Sequence, residues 1–109
     1  GKSMARGARQ KAADIRTSLI EQMQAAGNKP MAYIIDLVDG YMDMWRVREK
    51  ARADISKRGV VLTIVDQRNG MPCERANPSV QILQNMNKQM SKFIKDYKLD
   101  VPVDEDEEL

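Results

Sequence analysis

Hydrophobic positions recur at helical spacing along the first quarter of the chain. They predict a first helix over roughly residues 8–26. Its apolar stripe is Ile15, Leu19 or Ile20, and Met23. Gly27 and Asn28 follow the last periodic position and fit a C-terminal cap, which is the usual place for a left-handed residue.

A second and longer helical pattern begins at Pro30, a residue that suits the first turn of a helix. Its apolar stripe is Met31, Ile34 or Ile35, Val38, Tyr41 or Met42, and Trp45. The pattern turns charged after Trp45 and stops at Gly59, which is predicted to cap the helix in the left-handed conformation. Such a helix is roughly 43 Å long at 1.5 Å per residue. It therefore has to pack along a third helix, against other subunits, or both.

Residues 60–65, between the two helical halves of the chain, are strongly β-forming. Asn69 and Gly70 suit a type I′ hairpin turn, and a short returning strand is predicted over residues 71–75. Pro72 belongs on the edge of a sheet, because it cannot donate to a ladder. An isolated two-stranded hairpin is marginal in water, so this one is expected to lie on helices or to meet another subunit.

Asn77 and Pro78 predict the start of a third helix, as cap and first-turn residue, which runs to about Lys98. Its apolar positions form a narrow, coiled-coil-like seam: Leu83, Met86, Met90, Phe93 and Tyr97. The seam either covers the second helix within one chain or joins copies of the chain. Together with Tyr41 and Trp45 it is our candidate core and oligomerisation surface. The fold class predicted is mainly α, with three helices and one hairpin, in a chain expected to associate with copies of itself; the homo-oligomeric ring is what the family resemblance described below implies.

Charge is distributed unevenly along the 109 residues, although the net charge is only +2. Six acids stand among residues 100–109, and without them 18 bases face 10 acids, a net charge of +8. We therefore divide the chain into a basic arm (1–13), a helical domain (14–99, with the hairpin at about 60–76) and an acidic, disordered tail (100–109). A basic body indicates a polyanionic partner. The candidate DNA-binding residues are Arg6, Arg9, Lys11, Arg16, Arg46, Arg48, Lys50, Arg52, Lys57 and Arg58.

The side chains needed for common catalytic sites are scarce. There is no His and a single Cys, Cys73, which excludes a His-based triad, an intramolecular disulfide and the usual Cys/His zinc site within one chain. Asp36, Asp39 and Asp43 share one helical face, where a solvated surface is a far better interpretation than a Mg²⁺ site. We predict no catalytic residue, no metal and no cofactor. No apolar run is long enough to span a membrane, and a cytoplasmic protein is favoured.

Four elements in order resemble the small terminase subunits of tailed double-stranded DNA phages. They are Tyr41-x-x-x-Trp45, Ile55-x-x-x-Gly59, the Asn-Gly turn before Asn77-Pro78, and then Asn85, Asn87, Met90 and Leu99. The resemblance covers most of the chain from Leu19 to Leu99. After Leu99 many relatives continue with a Gly-Leu-x-Pro-like segment, whereas here Asp100-Val101-Pro102 leads into acids.

The resemblance implies a non-catalytic component of genome packaging that forms rings. It further implies binding to double-stranded DNA at the packaging start, regulation of the large terminase subunit, which holds the ATPase and nuclease, and a location in the host cytoplasm. The acidic tail is hypothesised to compete with DNA or to dock the large subunit. Two alternatives stay open: an oligomeric assembly adaptor that never reads DNA, and a small DNA-binding regulator of transcription. No membrane partner is expected.

Overall fold

The computed structural model describes residues 2–99, with side chains described from residue 7 onward. The described chain contains three helices and a hairpin, which lies between the second and third helices in the sequence. The elements are α1 (Lys2–Ala26), α2 (Met31–Arg58), β1 (Val61–Val65), β2 (Pro72–Ala76) and α3 (Pro78–Asp96). The mainly helical class and the hairpin between the second and third helices are therefore confirmed. Helix α1 begins at Lys2, earlier than the predicted residue 8, and residues 2–7 contain no proline that would interrupt it.

The chain divides into two compact units, of which the first contains residues 1–43 and 90–109. Its apolar core consists of Leu19, Met23, Ile34, Val38, Met42 and Met90, all of which are buried. These side chains recur every three or four residues along α1 and α2, as an amphipathic helix requires. On the outside, the Arg16 guanidinium donates to Asp39 at 2.9 Å and ties α1 to α2.

The second unit contains residues 44–89 and includes the hairpin. Strands β1 and β2 are antiparallel, with Val61 opposite Ala76 and Val65 opposite Pro72. In this unit Trp45, Ala51 and Asn77 are buried. Most apolar side chains of the hairpin are exposed. The helices therefore do not cover the hairpin, which was the first of its two predicted arrangements; the second was contact with another subunit.

The predicted type I′ turn at Asn69-Gly70 is wrong. The backbone N–H of Asp66 donates to the Met71 carbonyl at 2.8 Å, which leaves a four-residue loop over 67–70. A type I′ turn needs positive φ at both central residues, yet within the described residues of this loop only Gly70 has it, at 67°. The reason is local: Asp66 Oδ1 accepts from the Arg68 N–H, and Asn69 Oδ1 accepts from the Met71 N–H. These two bonds hold a wider loop.

Of the two C-terminal caps predicted at glycines, the cap of α2 is formed and the cap of α1 is not. Gly59 has φ of 85° and donates its N–H to the Ile55 carbonyl at 2.7 Å, which confirms the left-handed cap of α2. Gly27 follows α1 but is not left-handed, so the cap expected there is not formed. Helix α3 ends without a glycine: Lys98 takes the left-handed conformation, and the Leu99 N–H donates to the Ile94 carbonyl.

The acidic tail predicted at residues 100–109 lies outside the described residues. The proposed division into arm, domain and tail therefore stays a prediction. Across the part that is described, none of the helices combines the length and the apolar character needed to cross a bilayer.

Candidate nucleic-acid interface

A carboxylate organises the end of α2, where the basic residues are concentrated. Asp54 receives two bonds from the Arg58 guanidinium, at 2.6 and 2.8 Å. The Ser79 hydroxyl donates to it at 2.7 Å and the Asn77 amide at 3.0 Å. Asp54 and Arg58 are one helical turn apart, whereas Asn77 and Ser79 come from the start of α3. The carboxylate therefore joins the end of one helix to the beginning of the next.

Asn77 is the most deeply buried polar residue at this junction, with 1% of its surface exposed. Its side-chain oxygen accepts the Ser79 backbone N–H at 2.9 Å, which is the bond of an N-cap residue. Its amide donates to the Gly59 carbonyl at 2.9 Å, and its backbone N–H donates to the Val60 carbonyl at 2.9 Å. The predicted cap is thus confirmed, and the same side chain also fixes the left-handed Gly59.

Hydrogen bonds from Arg58, and after it from Ser79 and Asn77, hold the pKa of Asp54 well below its usual 3.8. Because the pKa is lowered in the folded chain, ionised Asp54 stabilises the fold above about pH 4. This contribution is lost as the pH falls below that value.

The lowered pKa of Asp54 predicts a specific loss of stability in acid. We expect the free energy of unfolding of the wild-type chain to exceed that of Asp54→Asn at neutral pH, and the difference to shrink below about pH 4. Urea unfolding followed by circular dichroism at a series of pH values measures this. The control variant Asp36→Asn changes an exposed acid of the same helix. Its free energy of unfolding should fall in acid by the same amount as that of the wild-type chain. A constant difference between wild type and Asp54→Asn across the series would contradict the prediction.

The predicted basic cluster of the first helix is only partly available. Arg9 and Lys11 are exposed on α1. Arg16 is ion-paired with Asp39, with 41% of its side chain exposed. The side chain of Arg6 lies outside the described side chains. Among the described residues no three His, Cys, Asp or Glu side chains gather as a metal site.

Three residues of the predicted cluster of the second helix contact acids of the same helix. Arg48 and Arg52 both contact Glu49, at 3.2 and 3.4 Å, and Arg58 is engaged by Asp54. In these three residues a neighbouring carboxylate already offsets the positive charge.

An exposed row of basic residues on α2 forms what we call the basic stripe: Arg46, Lys50 and Lys57. They are separated by four and seven residues, so they lie on one face of α2. The stripe extends about 16 Å along the helix at 1.5 Å per residue. This exceeds the width of the major groove of B-DNA, about 12 Å, so the stripe is long enough to reach phosphates on both sides of a groove.

The apolar candidates pack within the chain more than the coiled-coil pattern suggests. Trp45 and Met90 are buried, and the other five are half-buried: Tyr41, Leu83, Met86, Phe93 and Tyr97. In the first unit the ring centroid of Phe93 lies 5.3 Å from the ring centroid of Tyr41 and 4.8 Å from that of Tyr97. Part of the seam is therefore used inside one copy.

Two features of this region escaped prediction. The role of Asp54 was not predicted from the sequence. The available signals were an acid four residues before Arg58, which is typical of a helical ion pair, and Asn77-Pro78-Ser79, which is typical of a helix cap. The indole N–H of Trp45 is buried and finds no acceptor in the described part of the chain. Nothing in the sequence could indicate this, because the acceptors available to a buried group depend on the tertiary packing.

Comparison with known proteins gives one result that bears on this arrangement. Residues 12–104 match the family described as phage terminase, small subunit. No curated protein and no solved structure matches the chain. The matched segment contains the half-buried Tyr41, the buried Trp45, the Gly59 cap, the Asn77 junction and the whole basic stripe. The match covers well over half of the 109 residues, and the chain belongs to the phage terminase small-subunit family.

Proposed function

We propose that this chain binds double-stranded viral DNA at the start of packaging and regulates the large terminase subunit, which holds the motor and nuclease. The role is non-catalytic and is performed in the host cytoplasm. Family membership supports a part in phage DNA packaging. The observation that carries DNA binding is the basic stripe, an exposed row of Arg46, Lys50 and Lys57 on one helix face.

Capture of DNA by the stripe is electrostatic. Each Lys or Arg that neutralises a phosphate releases a counterion, which favours binding without reading a base. Arg48, Arg52 and Arg58 of the second helix are held by Glu49 or Asp54, so their positive charge is partly offset. Arg9 and Lys11 are exposed and form a second candidate contact.

Self-association strengthens this weak contact, because a ring of copies presents many stripes to one duplex and turns single contacts into avidity. The support for assembly is exposed apolar surface on the second unit. Val60, Val61, Val65 and Met71 of the hairpin each expose half or more of their surface. Large exposed apolar patches mark interaction sites, and four exposed apolar side chains on one hairpin support such an assembly.

The mass of the native assembly, alone and with a duplex, tests the proposal. We expect a multiple of the 12.4 kDa chain, and a duplex complex that weakens as salt rises. A dimer on palindromic half-sites would instead indicate a transcription regulator. An oligomer indifferent to DNA would indicate an adaptor. A single copy at working concentration that ignores duplexes in dilute salt would overturn the proposal altogether.

A further inference from the structure

The two outer edges of the hairpin differ in their capacity to accept another strand. In an antiparallel pair, alternate residues bond across the ladder and the others point their backbone groups outward. Two bonds fix this alternation: Asn77 N–H to the Val60 carbonyl and Asp66 N–H to the Met71 carbonyl. The backbone N–H and C=O groups of residues 60, 62, 64 and 66 therefore point towards β2, as the register requires. Val61, Thr63 and Val65 direct their N–H and C=O groups away from it.

The outward edge of β1 has every feature of an open edge. Val61, Thr63 and Val65 are exposed, uncharged and β-branched, and each keeps its N–H. The sheet has two strands, and within the described residues no third strand pairs with β1. Native sheets usually block such an edge with proline, charge or a bulge. None of these is present along residues 61–65.

The outward edge of β2 is closed. By the same register its outward residues are Pro72, Glu74 and Ala76. Pro72 has no N–H to offer, and Glu74 places a charge at the centre of the strand. A strand that joins the hairpin therefore finds its bonds on β1 and not on β2.

We propose that β1 pairs with β1 of a second copy, antiparallel about a two-fold axis through Thr63. This inference rests on the self-association proposed above and names the contact. In this register Thr63 faces Thr63, and Val61 of each copy faces Val65 of the other. Each of the three pairs exchanges two backbone hydrogen bonds. The result is a four-stranded sheet with β2 at both ends.

The self-complementarity of β1 is what selects a second copy as the occupant. The register brings Thr opposite Thr and Val opposite Val, which are favourable cross-strand pairs, and places no charge at the contact. Pairing of β1 with β2 of another copy meets Pro72 and loses hydrogen bonds. The contact is isologous and hence different from the head-to-tail contact that closes a ring.

Two proline variants test the pairing. Thr63→Pro removes the central outward N–H of β1, and Glu74→Pro removes the central outward N–H of β2. Neither group belongs to the ladder within the hairpin, so the pair is matched. We expect Thr63→Pro to reduce the mass of the assembly about twofold by analytical ultracentrifugation, with helical content unchanged, and Glu74→Pro to leave the mass unaltered.

A cysteine pair supplies an answer even if a proline variant fails to fold. In the Cys73→Ser background, Thr63→Cys brings two Cα atoms to about 5.5 Å across the axis, within reach of a disulfide. Mild oxidation should then give a covalent dimer, and Glu74→Cys in the same background should give none. Equal cross-linking of both variants would overturn the pairing.

The remaining outcomes of the proline test also decide the matter. Equal loss of mass in both proline variants would indicate head-to-tail pairing of β1 with β2 and overturn the inference. Unchanged mass with loss of large-subunit binding in Thr63→Pro alone would show that the large subunit occupies the edge instead. A wild-type chain that is already a single copy would remove the proposed assembly as well. An oligomeric wild type with an unaltered Thr63→Pro variant would remove this contact alone.

Discussion

Replacing Arg46, Lys50 and Lys57 together by Gln should weaken binding to duplex DNA roughly 100-fold for each engaged copy near physiological salt. The stripe offers three exposed cations, and each phosphate contact contributes about 0.9 to the slope of log K against log salt. Loss of three contacts therefore flattens the slope by about 2.7. Between 1 M salt, where this term vanishes, and about 0.15 M, that difference amounts to roughly two powers of ten.

Titration of a labelled duplex at four or five salt concentrations measures both the affinity and the slope. The control is Lys88→Gln, Lys92→Gln and Lys95→Gln, which removes the same formal charge from three exposed residues of α3. They are spaced by four and three residues, and Lys92 pairs with Asp96. This control should bind within a few-fold of wild type. Equal weakening by the two triple variants would show that net charge and not the stripe governs binding. A larger effect of the α3 variant would place the interface on α3.

Asn77→Ala should destabilise the fold by about 2–4 kcal/mol, a large part of the stability of a small domain. Loss of an N-cap contributes about 1 kcal/mol. The rest arises because the Gly59 carbonyl loses the Asn77 amide donor in a partly buried junction, and an unpaired buried polar group costs about 1–3 kcal/mol. Asp54 also loses this donor but keeps its bonds from Arg58 and Ser79. Urea unfolding measures the difference in the free energy of unfolding. The protein concentration is kept fixed because assembly shifts the apparent stability by mass action.

Two further variants sharpen this prediction. Asn85→Ala changes an exposed Asn of the same helix and should alter the free energy of unfolding by less than about 0.5 kcal/mol. Asn77→Asp keeps the cap acceptor but sets a second carboxylate beside Asp54, so it should regain stability as the pH falls towards 4. That trend is opposite to the acid loss expected of the wild type. Equal stability of Asn77→Ala and Asn85→Ala would refute the role of the junction.

Much of the fold follows from signals that act over a few residues. Gly59 is predictable because a helix that ends in a left-handed turn favours glycine, and Asn77 and Pro78 are predictable as cap and first turn. The prediction of a type I′ turn at Asn69-Gly70 was wrong because of a side chain outside the dipeptide. Its dipeptide favours a two-residue turn, but the side chain of Asp66 captures the Arg68 N–H and widens the loop. A neighbouring side chain thus outweighed the dipeptide preference.

The candidate site was less predictable because its contacts join distant parts of the chain. Asp54 meets Asn77 and Ser79 across more than twenty residues, and no local pattern indicates that meeting. Arg58 therefore looked like a free cation in the sequence, whereas its guanidinium is held by Asp54. The spacing of Arg46, Lys50 and Lys57 can be read from the sequence, whereas the contacts of Arg48 and Arg52 with Glu49 are seen only in the structure.

The closed edge of β2 has a consequence for solubility. Strands that present free backbone groups on both sides template one another indefinitely, which is how cross-β fibrils grow. Here Pro72 terminates one side of the hairpin, so a single additional strand satisfies it and growth stops. With the proposed pairing, the segment Val61–Val65 accepts one further strand without seeding a polymer.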